Sequence, residues 1–417
     1  MRLVTLIFLL GFTIQAQAQD LNPNRDSVSN NDLAIFIDCN FCDISFMKQN
    51  LQHVNFVRDR KVAEVHLLFT RQRNGAGGWA ERIQFIGMGN LAHLTDTLEY
   101  TIDVNMTQDE KRKTQLRYMQ FGLLRFWLEK GMDELITIDV KEADTSMELT
   151  PEDDPWNNWV FGLNAGGWFN GQETSNSLNF YGNISAKRIT EKNKLSIRAG
   201  GDQNLNYFNY DGVETKARQQ SSWLRAQEII SISDHWSYGF FGEAGNSVFS
   251  NYKFYGDLGA GIEYDVFEYE DSYEKQLIVA YHAGGRYNDY YDTTVFNKDE
   301  ELVGWHKLIL GASTNKEWGK LSSTITYRNY LHDFSLNSIS FWMNFNVRLF
   351  KGFSWRVNGS FSVNHNQINI SKQGATPEEV LLQQQQLGSG YNYWMNTGLN
   401  YSFGSIYNTV VNPRFDF

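Results

Sequence analysis

The stretch Tyr391-Asn-Tyr-Trp-Met-Asn-Thr-Gly-Leu-Asn-Tyr-Ser-Phe403 alternates between two chemistries with almost no break. Tyr391, Tyr393, Met395, Thr397, Leu399, Tyr401 and Phe403 share one parity; Asn392, Trp394, Asn396, Gly398, Asn400 and Ser402 share the other. A period of two puts the first set on one face of a β-strand and the second on the opposite face. A face of Asn, Gly and Ser suits a wet interior better than a packed core. The apolar face is then the outer one, as in a transmembrane barrel strand. The competing reading is an edge strand of a soluble sandwich.

Working outward, the same alternation recurs from Trp156 onward. Apolar parities run through Trp159, Phe161, Leu163; Leu178, Phe180, Ile184; Trp236, Tyr238, Phe240; Leu258, Ala260, Ile262, Tyr264; Phe341, Met343, Phe345, Val347, Leu349; and Phe353, Trp355, Val357, Phe361, Val363. These segments predict a mainly β protein, with an antiparallel transmembrane barrel of about twelve strands over 156–404. Turns near 191–193, 233–235, 270–272, 317–319 and 351–352 read as short, and connections over 207–220, 287–303 and 366–389 as long. Short turns on the periplasmic side and long loops outside are the outer-membrane pattern, and an even strand count returns both barrel termini to the periplasm. Within the last long loop, Thr376-Pro-Glu-Glu379 predicts the start of a short amphipathic helix.

The terminal strand also resembles the segment that the outer-membrane assembly machinery recognises: a glycine, Gly398, followed three and five residues on by the aromatics Tyr401 and Phe403. The tail over 405–417, with Ser405-Ile-Tyr-Asn-Thr-Val-Val-Asn-Pro-Arg-Phe415, is similar to the end of Bacteroidetes-type outer-membrane barrels. The resemblance implies outer-membrane lipid and the assembly machinery as partners. It assigns no activity.

The beginning of the chain points to export. Arg2 precedes an apolar run over 3–14 and then Ala16-Gln17-Ala18, a small-x-small cleavage pattern, so residues 1–18 read as a signal peptide and 19–31 as a polar linker. A mean hydropathy of -0.46 and the lack of another long apolar run leave strands as the only means of spanning a membrane. The net charge of -11, without a dense Lys/Arg block, excludes nucleic acid as a natural partner. Twelve Trp and 21 Tyr fit interfacial girdles.

Between the linker and the barrel, residues 32–141 have the pattern of a small α/β domain. A strand over 33–37 leads to a helix capped by Asp43 that carries Ile44, Met47, Leu51 and Val54; strands over 63–70, 82–88 and 97–103 follow. Thr107-Gln-Asp-Glu110 is a capping box for a longer helix bearing Leu116, Met119, Leu123 and Phe126, and Gly131 stands at the C-cap position. The order β-α-β-β-β-α loosely resembles the N-terminal domain of TolB and related envelope proteins, which places this domain in the periplasm. The acidic stretch 142–155, with two of the five prolines, marks the boundary with the barrel.

Three constellations invite a chemical reading. Cys39 and Cys42 form C-x-x-C ahead of a helix, where a thiolate is stabilised. The domain has no proline to face them as in thioredoxin-like enzymes, so a structural disulfide is expected. His332, Asp333 and Ser335 tempt a lipid-hydrolase reading, but neighbours in one loop rarely form a triad, and no G-x-S-x-G, H-E-x-x-H or phosphate-binding glycine loop is present. No metal-ligand spacing stands out and no cofactor is implied. The third constellation lies on the inward parity of the barrel: Glu243, Asp257 and Glu263 are acidic, and Arg198, Arg225, Arg286, Lys307, Arg328, Arg348 and Arg356 are basic. Opposite charges on facing walls would set up a transverse field across a lumen, whereas touching pairs would close a narrow barrel; the sequence leaves both open. A narrow porin-like channel for small solutes is the first functional expectation. An envelope protein acting through its periplasmic domain on a partner is the second, and a lipid-acting hydrolase the third. Oligomeric state is not legible.

Overall fold

The computed structural model describes residues 32–138, 154–210, 213–316, 318–350, 353–374 and 386–401. The expected signal peptide, the linker 19–31, most of the acidic linker, the helix start at Thr376, Phe403 and the tail 405–417 lie outside the described residues.

The N-terminal domain is a five-stranded sheet packed on one long helix. Its strands are β1 (Leu33–Asp38), β2 (Val54–Phe56), β3 (Val65–Arg73), β4 (Trp79–Gly87) and β5 (Thr95–Ile102), in the order β2-β1-β3-β4-β5. β1 pairs in parallel with β2 and β3, and the remaining ladders are antiparallel. Helix α1 (Ile44–Asn50) begins where the Asp43 carboxylate accepts from the Phe46 N–H at 2.9 Å. Helix α2 (Gln108–Glu129) carries the capping box: the Thr107 hydroxyl accepts from the Glu110 N–H, and the Glu110 carboxylate from the Thr107 N–H at 2.7 Å. Gly131, at φ 71°, ends it in the left-handed conformation that a glycine adopts without strain. Met119, Leu123 and Phe126 are fully buried against Leu33, Ile35, Ile83 and Phe85. Gly122 lets α2 approach closely, since a Cβ there would stand 2.1 Å from the Phe85 ring. One element departs from expectation. Val54 belongs to no helix but opens the parallel edge strand β2, because α1 stops at Asn50 and the chain doubles back beside β1.

Residues 159–401 form a twelve-stranded antiparallel sheet. Its members are β6 (Trp159–Gln172), β7 (Ser175–Ile189), β8 (Asn193–Tyr210), β9 (Val213–Ser231), β10 (Trp236–Ser247), β11 (Tyr252–Asp265), β12 (Lys275–Tyr290), β13 (Glu300–Lys316), β14 (Gly319–Tyr330), β15 (Asp333–Phe350), β16 (Phe353–Asn364) and β17 (Tyr391–Tyr401). Each pairs with its neighbours in sequence. Among the described residues, no ladder joins β6 to β17. The strands range from 11 residues in β17 to 19 in β9, and a tilted strand needs about 9 to 11 to cross a hydrocarbon core. The apolar parities face outward: Leu163 is 82% exposed, Leu258 73% and Leu302 78%. A soluble sandwich would cover such a face, which rules out that alternative. Aromatic rings gather towards both strand ends, with Trp236 on Tyr264 and Phe350 on Phe353, each at 4.7 Å, near one end, and Phe169 on Phe180 at 5.5 Å near the other. This is the arrangement of two interfacial girdles.

Connection lengths are less regular than the sequence suggests. The expected long connection over 207–220 is mostly strand, since β8 runs to Tyr210 and β9 starts at Val213. Conversely, the connection near 270–272 is enlarged, with a 3-10 turn over Tyr269–Tyr273. Only 291–299 and 365–390 remain long on the far side.

Candidate functional site

Register assembles the charged residues before any side-chain geometry is considered. Arg198 on β8 stands opposite Arg225 on β9, Arg225 opposite Glu243 on β10, Glu243 opposite Asp257 on β11, and Asp257 opposite Arg286 on β12. Directly opposed residues share a face. Five charges on five strands therefore form one transverse row. On the next two strands Lys307 stands opposite Arg328, and His282 opposite Lys307. All of these side chains line a cavity of about 440 Å³ whose walls come from β8 through β14. Seven consecutive strands around one cavity mean that the sheet curves about it, as the wall of a barrel does.

The two carboxylates in the cavity are already engaged by neighbours. Glu243 accepts from the Tyr255 hydroxyl at 2.9 Å and from Arg225 Nη2 at 3.2 Å. Asp257 accepts from the Trp305 indole N–H at 3.0 Å and lies 3.7 Å from Arg286 and 3.6 Å from Arg328. Arg286 stacks over Tyr255 at 4.4 Å and Arg328 over Trp305 at 5.0 Å. Charges of opposite sign thus meet along the wall, between adjacent or nearby strands. The lining carries five cations, Arg198, Arg225, Arg286, Lys307 and Arg328, against two carboxylates, an excess of three positive charges with histidine neutral.

Both ends of the lumen are covered. On the side of the connections 190–192, 266–274, 317–318 and 351–352, the N-terminal domain sits against the barrel. Arg348 of β15 donates to both oxygens of Asp38, at 2.7 and 2.5 Å, and stacks over Phe36 at 5.0 Å. Gln84 donates to Glu274 at 2.6 Å, Gln72 to the Ser272 hydroxyl at 3.0 Å, and Arg82 lies over the Tyr273 ring at 4.1 Å. Gly75 approaches Ile189 so closely that a Cβ would stand 2.8 Å from that side chain. Burial pushes the Asp38 carboxyl up, but the His66 ring, 3.5 Å away, and the hydrogen-bonded Arg348 guanidinium outweigh it and hold the group below the usual carboxylate range.

At the opposite end, the segment after β16 folds across the mouth. Ile368 is 2% exposed and packs on Val303, Trp305 and Tyr330. Asn369 fixes it there: its carbonyl accepts from Asn251 Nδ2 at 3.0 Å, and its own side chain donates to the Ser250 carbonyl at 3.0 Å. Ser371 bridges to Thr294 of the β12–β13 connection.

Seven of the ten expected lumen charges line the cavity, and three lie elsewhere. Glu263 is on β11 beyond the cavity, opposite Ser237; Arg356 is opposite Asn346 on β15 and is exposed; Arg348 is engaged by the N-terminal domain. Cys39 and Cys42 are joined in a disulfide directly after Asp38. Gly398 stands opposite Arg356 and Tyr401 opposite Phe353, on the last described strand. The Ser335 hydroxyl donates to Asp333 at 2.7 Å, while His332 stacks beside Tyr330 at 5.9 Å, so the three side chains are not arranged as a triad. Among the described residues, no group of three or more His, Cys, Asp or Glu could hold a metal ion, and no helix is long and apolar enough to cross a membrane. The sequence reading missed His282, Trp305 and Tyr255, which share the inward parity of the charged residues; strand alternation carried that signal.

No protein-family model and no curated protein matches the chain. Among solved structures it is similar to the NanC porin, at 8% identity and a TM-score of 0.26 over 58% of this chain and 99% of that one. It is also similar to the translocator domain of the autotransporter NalP from Neisseria meningitidis, at 12% identity and a TM-score of 0.25 over 59% of this chain and 87% of that one.

Proposed function

We propose that the chain is an outer-membrane channel for small solutes, with its N-terminal domain and both chain termini of the barrel on the periplasmic side. The observation that carries this reading is the charge-lined cavity inside a sheet whose outer face is apolar. Five cationic side chains at mid-height of a membrane-spanning wall are tolerated only where water or counter-ions reach them. The coverings at the two mouths act as gates. The domain covers the periplasmic mouth and the segment around Ile368 the outer one, so passage requires each to move. Incorporation of the purified full-length chain into planar bilayers tests this: discrete current steps support it, and silent membranes containing folded protein refute it.

A second reading, docking of the N-terminal domain onto another envelope protein, is favoured by one feature. Phe121, Leu135 and Ile138, respectively 58%, 55% and 66% exposed, border a groove between α2 and the segment after it. Loss of a co-purifying envelope protein on Phe121→Asp would support that role; unchanged recovery, or no such protein at all, would argue against it.

A further inference from the structure

The cavity is over-supplied with cations in a way that its own carboxylates do not relieve. Arg198 faces Arg225 and Lys307 faces Arg328 across directly opposed positions, and like charges so placed repel. Arg225 is drawn to Glu243 and Arg328 to Asp257, but Arg198 and Lys307 have no ion-pair partner among the described residues. Asp257 is shared between Arg286 and Arg328 at 3.7 and 3.6 Å, beyond hydrogen-bond reach of either, and Arg328 Nε and Nη2 lack any acceptor among the described residues. These two nitrogens are out of contact with solvent, and an unpaired guanidinium N–H so placed is unfavourable, as is an excess of three positive charges within the membrane.

We propose that this cavity is a binding site for a small oxyanion carrying two or more negative charges, of the phosphate or dicarboxylate class. Guanidinium groups present paired N–H donors that match the two oxygens of a phosphate or carboxylate, and a lysine adds a point charge. The cavity combines three arginines from its row with Lys307 and Arg328 on the next two strands, so an anion at its centre would meet donors from several strands of the curved wall. About 440 Å³ admits a ligand of several heavy atoms beyond a chloride ion. The bound anion would relieve both like-charge pairs at once. As a selectivity device for transport the site rests on the channel reading; binding itself does not.

The test uses the full chain in detergent micelles, with inorganic phosphate as the probe at constant ionic strength against chloride. Phosphate should raise the thermal unfolding midpoint and bind saturably by calorimetry. Lys307→Gln and Arg198→Gln should each weaken binding about tenfold or more, the scale of one charge-assisted hydrogen bond. Neither substitution orphans a carboxylate, so both should fold, as heat-modifiable migration on gels would show; without phosphate Lys307→Gln should be at least as stable as wild type. Lys61→Gln, on the N-terminal domain, should bind as wild type does. Absence of saturable binding, or affinity unchanged in both cavity variants, would overturn the site. Reversal potentials across a salt gradient separate the two proposals. Phosphate binding with silent bilayers removes the channel and leaves the site, whereas current without anion preference or phosphate binding removes the site and leaves the channel.

Discussion

Replacing Asp38 by Asn should loosen the N-terminal domain from the barrel mouth. The perturbation removes the acceptor charge from a bidentate contact with Arg348, at 2.7 and 2.5 Å, while keeping the side chain's shape. Exposed ion pairs contribute about 0 to 1 kcal/mol, and loss of one partner from a fully buried pair costs about 3 to 5. Asp38 is 20% exposed and Arg348 38%, so solvent screens the pair and the expected loss is about 1 to 2 kcal/mol, or a fivefold to thirtyfold rise in the undocked fraction. A cysteine at the half-buried Ser272, which accepts a hydrogen bond from Gln72 across the interface, reports that fraction through its maleimide labelling rate. The native cysteines are bonded to each other and stay silent. The rate should rise fivefold to thirtyfold with Asp38→Asn, similarly with Arg348→Ala, and no further in the double variant. Because the Asp38 carboxyl is depressed in the folded state, its contribution is present above the unfolded value of about 4 and lost as pH falls through the depressed one. Wild-type labelling should therefore stay slow down to about pH 4 and accelerate only below it. A rate that changes less than twofold in both single variants would refute the docking energetics.

Other consequences concern separate parts of the molecule. Cys39→Ser removes a cross-link of sequence separation 3, so the loop-entropy relation gives a loss of about 2 kcal/mol, read from chemical denaturation of the N-terminal domain's signal. Gly122→Ala drives a methyl into the Phe85 ring and should cost about 1 to 3 kcal/mol in the same assay; an unchanged midpoint would contradict the close approach of α2. Ile368→Ser should free the outer mouth and raise conductance by lengthening open periods, and identical gating would show that this segment is no gate. Single cysteines at Asp299 and Gly374 should react with an impermeant maleimide on intact cells while those at Asn193 and Asp234 should not; labelling at either of the latter would reverse the orientation.

Much of the barrel was legible because its signal is local. A period of two in Phe341, Met343, Phe345 and Val347 needs no tertiary information, and the inward parity of Glu243, Asp257 and Arg286 follows from the same rule. Polar composition misled at 207–220, which read as loop although β8 continues to Tyr210 and β9 starts at Val213; the Asp211-Gly212 pair, a favourable two-residue hairpin sequence, was the overlooked signal. Strand β2 was missed because three residues give no period, and Val54 fits either a helix face or an edge strand. The clamp between Asp38 and Arg348 joins residues 310 apart, and no pattern along the chain encodes a contact made by docking two separately folded units. For the same reason Arg348 was assigned to the lumen: parity gives the face of a strand but not what approaches its end. Ile368 and Asn369 were placed in a long loop, and only the ladder of contacts to 250–251 and 294–295 shows that the loop folds back over the mouth.

The most direct test of the account is single-channel recording from the full-length chain and from a variant combining Asp38→Asn with Ile368→Ser, which loosens both coverings of the charged cavity. A gated channel predicts small, infrequent current steps from wild type and markedly longer openings from the double variant, with both proteins equally heat-modifiable on gels. Membranes that stay silent for both, despite folded and incorporated protein, would contradict it.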